Sequence, residues 1–372
     1  GQDAREAGAA LDLVEIDVSG CTVLPGLIDS HCHISFDQPS TNDELFFHRR
    51  HGLATLVASV NAQKVLRAGV TGFFDADCIF DVGLDLRDAI EGGVVLGPRM
   101  ATGGNVLINC VGGTAAQLLP DSGRRGYGVI VHTPDEIVTE IHRQVKNGVD
   151  WIKVHVSGLP VRPNGVEGEI KTWTFDELKL VCDTAHSLGV PVVGHCRNAS
   201  STRDSALAGF DMILHATYMD QEAVEAVIEA KVPIVPTFTF QANLADFGDL
   251  VGSDARYKEV FRREISESVD SIRKAYDAGV PLLTGSESGF SLTPYGEWHH
   301  REMEIFVEDL GLTPLQAIQC ATSNGARSLR MEGQIGCLEA GYLADFLVVN
   351  GDPTTNIKVL GNKEAIRYIY KG

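Results

Sequence analysis

Apolar runs and helix-like stretches alternate along most of this chain, and the junction between them repeats with variation. A helix-like stretch ends in a small residue, then come Val or a similar apolar residue, often Pro, and a short apolar run. The junction appears as Ala68-Gly69-Val70-Thr71-Gly72-Phe73-Phe74-Asp75 and returns as Asn147-Gly148-Val149-Asp150-Trp151-Ile152-Lys153-Val154. Leu188-Gly189-Val190-Pro191-Val192-Val193-Gly194-His195 repeats it, with variants at 208–215, 231–237 and 278–285. Glycine at the junction suits a left-handed helix cap, and each apolar run suits a parallel strand buried on both faces. Helix starts are marked as well. Thr133-Pro134-Asp135-Glu136 and Thr174-Phe175-Asp176-Glu177 read as capping boxes, the first with Pro at its first helical position. A strand leading to His31 and a short one at 98–102 bring the predicted strands to eight. Eight βα units over about 300 residues predict an α/β fold of the (β/α)8 TIM-like barrel type. A doubly wound sheet would want a glycine-rich phosphate loop after its first strand, and that position holds histidines.

Composition narrows the class. The 372 residues carry 31 basic and 50 acidic side chains, a net charge of −19, with 44% apolar content. No Lys/Arg cluster longer than a pair occurs, which argues against nucleic acid or an anionic membrane face as partner. The eight cysteines (21, 32, 78, 110, 182, 196, 320, 337) form no C-x-x-C and fit a reducing compartment, so a cytoplasmic location is expected. No apolar run approaches the roughly 20 residues of a membrane span, and no signal peptide is visible.

The first strand carries the most informative chemistry. Leu24-Pro25-Gly26-Leu27-Ile28-Asp29-Ser30-His31-Cys32-His33 ends in two histidines one residue apart, and alternation along a strand points both the same way. Paired imidazoles suit a divalent transition metal such as zinc; two surface histidines after a strand would read the same in isolation. The other predicted strand tips carry Asp75, Asn105, Lys153, His195, His215, Thr237 and Glu287. Barrel active sites form at this face from several strands, so four histidines, a lysine and a carboxylate read together as a metal site. Lys153 lies inside an apolar run, where burial disfavours the ammonium. A neutral amine there can take up carbon dioxide to form a carbamate, a two-oxygen ligand able to bridge two metal ions. A buried Lys–Glu ion pair is the alternative.

These residues resemble the amidohydrolase superfamily. The resemblance rests on the His-x-His of residues 31–33, on Ile152-Lys153 followed by Ser157-Gly158, and on His195 and His215. The tail agrees: 317–326 (AIQCATSNGA) precede 336–345 (GCLEAGYLAD) and Phe346-Leu347-Val348-Val349. It spans nearly the whole chain and is nearest the branch of imidazolonepropionase-like and prolidase-like proteins. The resemblance implies two divalent metal ions, zinc foremost, with His31 and His33 on the first and His195 and His215 on the second. An N6-carboxylated Lys153 would bridge them. The family's strand-eight aspartate usually follows Gly-Thr/Ser, whereas this chain reads Gly285-Ser286-Glu287; Glu287 is expected to serve as metal ligand and base. Glu287 and His215 are the catalytic candidates. The implied reaction is hydrolysis of an amide-like C–N bond by hydroxide from a metal-bridging water, with Glu287 passing the proton to the leaving amine.

The substrate is a small molecule whose identity is less marked. Dipeptidase-like relatives place Gly-Gly-His after strand three and a Tyr after strand seven, where they help hold a carboxylate. The matching stretches here are Gly103-Gly104-Asn105 and Thr237-Phe238-Thr239-Phe240. That exchange favours an uncharged, apolar amide, urea or (thio)carbamate, as in phenylurea- and molinate-hydrolysing members; N-acyl amino acids belong to the same bond class. Asn105, His155, Arg197, Phe240 and His299 are the substrate-binding candidates, and 104–127 is expected as a loop over the site. Residues 23–332 are assigned to the barrel. Residues 333–372, with 1–22 as an incomplete N-terminal part, are assigned by the resemblance to a small accessory β-sandwich. A homo-oligomer is expected, as in relatives. Competing readings are a prolidase-like dipeptidase or carboxypeptidase, a decarboxylase or deaminase on the same barrel, and a non-catalytic scaffold.

Overall fold

Backbone conformations at the repeated junctions explain how the chain turns from helix to strand. Gly148 and Gly209 take φ of 88° and 99° as left-handed C-caps. Where the repeat lacks glycine, Lys231 adopts the same region at φ 51°. Thr174 and Glu177 form a complete capping box. Thr133 caps the Glu136 amide, but the Glu136 carboxylate accepts from the His132 amide instead, so that box is half made.

The computed structural model describes residues 15–39, 50–109, 111–112, 126–158 and 169–372. In chain order these form β1 (Cys21–Pro25), β2 (Leu27–Cys32), α1 (His51–Arg67), β3 (Val70–Asp75), α2 (Val82–Glu91) and β4 (Arg99–Thr102). Next come β5 (Val106–Asn109), β6 (Gly128–Val131), α3 (Pro134–Asn147), β7 (Ile152–His155), β8 (Ser157–Gly158) and β9 (Ile170–Lys171). The alternation continues through α4 (Phe175–Ser187), β10 (Val192–Cys196), α5 (Ala199–Ala208), β11 (Met212–His215), α6 (Gln221–Ala230) and β12 (Ile234–Val235). The last part holds α7 (Phe238–Phe247), α8 (Ala255–Asp277), α9 (Arg301–Glu308), α10 (Pro314–Cys320), β13 (Phe346–Asn350) and β14 (Ile366–Tyr370).

Eight parallel segments close into a ring. β2, β3 and β4 pair in that order, and β7, β10, β11 and β12 pair in theirs. The amides of Asp150 and Trp151 donate to the Thr102 carbonyl, joining β4 to β7. The eighth segment runs through 282–288: Leu283 donates to Ile234, Ser30 to Thr284 and Glu287 to His31. It makes only isolated bridges rather than a regular ladder, because it bends around His31; a Cβ at Gly285 would lie 2.7 Å from the His31 Cβ. One enclosed cluster draws on every segment: Ile28, Phe74, Ala101, Trp151, Val193, Leu214, Val235 and Leu283. Leu329 and Ile335 close its base. This is a filled barrel interior, and the larger cluster of aliphatic residues lies between strands and helices.

Two expectations change. The stretch 104–127 is in part strand, since β5 pairs with β6 and touches β7 at Leu107–Val154; residues 110 and 113–125 lie outside the described residues. The accessory part is a single three-stranded antiparallel sheet, β1-β13-β14, among the described residues, and residues 1–14 of the expected sandwich lie outside them. That sheet packs on the barrel wall. Asp345 receives a two-pronged contact from Arg99 of β4, at 2.7 and 3.1 Å.

Candidate active site

Strand alternation places part of the site directly. On β7, Ile152 and Val154 face the helices while Trp151 faces the barrel interior, so Lys153 and His155 share the inner face. Elsewhere alternation alone fails. On β2, Ile28 faces inward, and strict alternation would turn His31 outward; a register irregularity between Asp29 and Cys32 resets the phase. On β11, Leu214 is interior, yet the next residue reaches the site because His215 takes φ 69°. Thr237 and Glu287, at φ 58° and 54°, are left-handed too. Three successive strand tips with non-glycine residues in this region mark backbone strain concentrated at one place, costing about 1–2 kcal/mol each.

The histidines form one continuous buried row. Ring centroids are 5.0 Å apart for His33–His31, 5.2 Å for His31–His215, 4.6 Å for His215–His195 and 4.8 Å for His195–His155. His215 Nε2 and His195 Nδ1 face one another at 3.1 Å, near the ~3.3 Å that two nitrogen ligands of one tetrahedral metal take. Ligand atoms of His31, His215 and Glu287 all lie within 4.8 Å of one another. The second nitrogens are held from behind: His31 Nδ1 meets Thr237 Oγ1 at 2.9 Å, and His195 Nε2 meets Glu169 Oε2 at 2.8 Å. His33 Nδ1 lies 2.6 Å from Asp77 Oδ1. Such partners fix the tautomer of a ligating imidazole.

Electrostatics suits cation binding. Burial, then the neighbouring cationic groups, hold His31, His195 and His215 well below the ordinary histidine value, so they present neutral nitrogens. Among the described residues the buried His215 Nδ1 has no hydrogen-bond partner. Burial likewise lowers Lys153, against the pull of Asp77 and Glu287. Burial pushes the Glu287 carboxyl up to about 6. Burial opposes the charge of Asp77, but Lys153 and His33 outweigh it and hold that carboxyl well below its usual range. The donor set, imidazole nitrogens and carboxylate around a buried amine, fits divalent metal.

The six expected metal-site residues, His31, His33, Lys153, His195, His215 and Glu287, therefore come together, with His155 beside them. Three substrate-binding candidates are engaged elsewhere. Asn105 Nδ2 donates to the carbonyls of Cys78, Phe80 and Gly126, pinning loops. The Arg197 guanidinium is locked on Glu264 by contacts of 3.0 and 2.6 Å, with Glu169 at 3.8 Å. His299 Nδ1 meets Asp29 Oδ2 at 2.6 Å and its Nε2 accepts from the Gly296 amide. Phe240 packs against Phe290 at 5.0 Å, and Phe290 in turn reaches Phe36, which stacks on His33 at 4.3 Å.

Sequence reading passed over Asp77, Glu169 and Thr237's contact with His31. Asp75, taken as the tip of its strand, instead receives the Ile34 amide and the Thr102 hydroxyl. Glu169 lies between no recognisable motifs, and only the folded chain brings it to His195. For Asp77 the repeat of acidic residues in Asp75-Ala76-Asp77 is the signal that was available.

Comparison with known proteins places the chain in a family. The chain matches the amidohydrolase family over residues 22–372. It is 27% identical over 377 residues to ochratoxinase from Aspergillus niger, spanning 94% of this chain and 74% of that protein. A Xaa-Pro dipeptidase structure with bound methionine in the active site is 27% identical, with a TM-score of 0.78, covering 97% of this chain and 91% of that one. Molinate hydrolase, 23% identical with a TM-score of 0.76 over 97% and 84% of the two chains, shares the fold. Members of this family generally use divalent metals. The chain belongs to the amidohydrolase family and is a hydrolytic enzyme.

Proposed function

We propose that this enzyme hydrolyses an amide-like C–N bond in an uncharged, largely apolar substrate, using two divalent metal ions. Amides, ureas, carbamates and thiocarbamates form the substrate class. The observation that carries the reading is the convergence of His31, His215 and Glu287 beside the buried Lys153. His31 and His33 would hold one ion, His195 and His215 the other, with Lys153 as its carbamate between them. When bound, the ions activate water and polarise the scissile carbonyl. Glu287 takes the proton of the attacking water and returns it to the departing nitrogen.

The pocket supports a neutral substrate. Arg197, the basic candidate for meeting a carboxylate, is engaged by Glu264 at 2.6 Å and Glu169 at 3.8 Å. Phe36, Phe240, Phe290 and Tyr127 form an aromatic wall beside His33. Residues 23–332 would be the catalytic barrel, with the β1-β13-β14 sheet as accessory unit, working as a homo-oligomer. The seven cysteines among the described residues are all unpaired, which supports a reducing, cytoplasmic setting. No helix of the described residues is long and apolar enough to cross a membrane.

Metal analysis and a substrate panel test the reading. About two divalent ions per chain and a 44 Da adduct on Lys153 (one CO2) are expected, with turnover of anilides, phenylureas or thiocarbamates. Fast cleavage of dipeptides without turnover of the neutral compounds would replace the substrate class by a prolidase-like one. Metal-supplemented protein that retains no metal would remove the hydrolytic mechanism altogether.

A further inference from the structure

The hydrolytic scheme leaves one enclosed carboxylate without a task. Asp77 follows β3, and its side chain is shut off from solvent. Oδ1 lies 2.6 Å from His33 Nδ1, and Oδ2 lies 3.3 Å from His155 Nε2. The Tyr127 hydroxyl reaches His155 at 3.4 Å and also approaches Asp77. Among the described residues neither carboxylate oxygen of Asp77 accepts a well-directed hydrogen bond, and the His33 Nδ1 also meets the Asp77 backbone carbonyl, at 3.2 Å. Asp75, two residues earlier, is satisfied by an amide and a hydroxyl. An enclosed carboxylate costs several kcal/mol unless opposite charge or strong donors face it. For Asp77 the groups that face it are the imidazoles of His33 and His155, both in the histidine row, and the Lys153 amine.

We propose that Asp77 is the positioning residue of the metal site: its backbone carbonyl takes the Nδ1 proton of His33, its carboxylate lies against the same nitrogen, and its other oxygen lies against Nε2 of His155. Holding the proton on His33 Nδ1 leaves the Nε2 lone pair turned toward the metal, and the anion raises the basicity of that nitrogen. The negative charge of Asp77 is met, through the imidazole, by the positive charge of the ion. The second oxygen fixes His155, whose ring lies 4.8 Å from that of His195. One side chain thus braces both halves of the site. The inference rests on the metal-dependent reading above.

Metal binding in wild type and Asp77→Asn, measured by chelator competition with zinc and by the visible spectrum of the cobalt(II) form, tests it. Asp77→Asn should bind one of the two ions about 10–100-fold more weakly and show an altered cobalt spectrum, while its metal-free melting temperature stays close to wild type. Equal affinities and superimposable spectra would overturn the role of Asp77 and leave the hydrolase reading intact. A wild-type protein that binds no metal would overturn both. A second measurement needs no variant: nitrogen-15 spectra of histidine-labelled, zinc-loaded wild type should show His33 as the Nδ1–H tautomer. The Nε2–H tautomer would contradict the proposal even if Asp77→Asn failed to fold.

Discussion

His215, Thr237 and Glu287 hold a left-handed backbone that their side chains disfavour, and each gains a site contact by doing so. His215 turns into the histidine row, Thr237 meets His31, and Glu287 joins His31 and His215. Glu287→Gln keeps the shape and removes the proposed base. Turnover should fall by about 10²–10⁴-fold with bound metal largely retained, which kinetics and elemental analysis of the same sample will check. Near-wild-type activity would put the base elsewhere. At Gly285 the limit is space: an added Cβ would sit 2.6 Å from Val235 Cγ1 and 2.7 Å from the His31 Cβ. Gly285→Ala should therefore displace His31, and a loss of metal affinity larger than the loss of thermal stability is the expected signature. The His-x-His pair and Lys153 were legible because period-two alternation and an apolar context are local properties. The three left-handed turns were not, since no residue type at those positions announces them.

Among the elements, α7 carries an unusual cap. Its N-cap residue Thr237 uses its hydroxyl on His31 and the Val235 carbonyl, so it gives no cap bond to the helix. Glu302 of α9 substitutes, accepting the Phe238 amide at 3.0 Å and the Thr239 amide and hydroxyl at 2.8 and 2.7 Å. A negative group at a helix start is favourable, and the arrangement frees Thr237 to orient a metal-site histidine. Burial nevertheless pushes the Glu302 carboxyl up to about 8 from 4.5, against those donors. A carboxyl raised in the folded state binds more protons than in the unfolded chain. Its contribution is present below about 4.5 and is lost as pH rises toward 8. Glu302→Gln should flatten that fall in melting temperature between these limits; parallel pH profiles for wild type and variant would contradict it. The helices and strands themselves were legible from junction glycines and capping residues. A cap supplied from 64 residues away was not.

At the scale of the molecule, the small sheet is tied to the barrel rather than hung beside it. Arg99 of β4 grips Asp345, which is 3% exposed. Arg99→Ala would leave that carboxylate its bond from the Gly372 amide but no charged partner, and a loss of about 3 kcal/mol in denaturant unfolding is expected; a loss below about 1 kcal/mol would show the sheet to be anchored chiefly by its apolar contacts. Removal of metal by chelation should lower the melting temperature reversibly, because ions bound only by the folded chain stabilise it by mass action.

By itself the sequence determined the order of most helices and strands and the parallel barrel, and it nominated the groups of the candidate metal site. Each of these follows from periodicity, capping and side-chain type within short windows. Tertiary structure decided which groups remain available. It tied up Asn105, Arg197 and His299 in internal contacts, and it placed Asp77, Glu169 and Thr237 behind the histidines. Those partners lie 26 to 206 residues apart in the chain, and closure of the barrel alone brings them within reach.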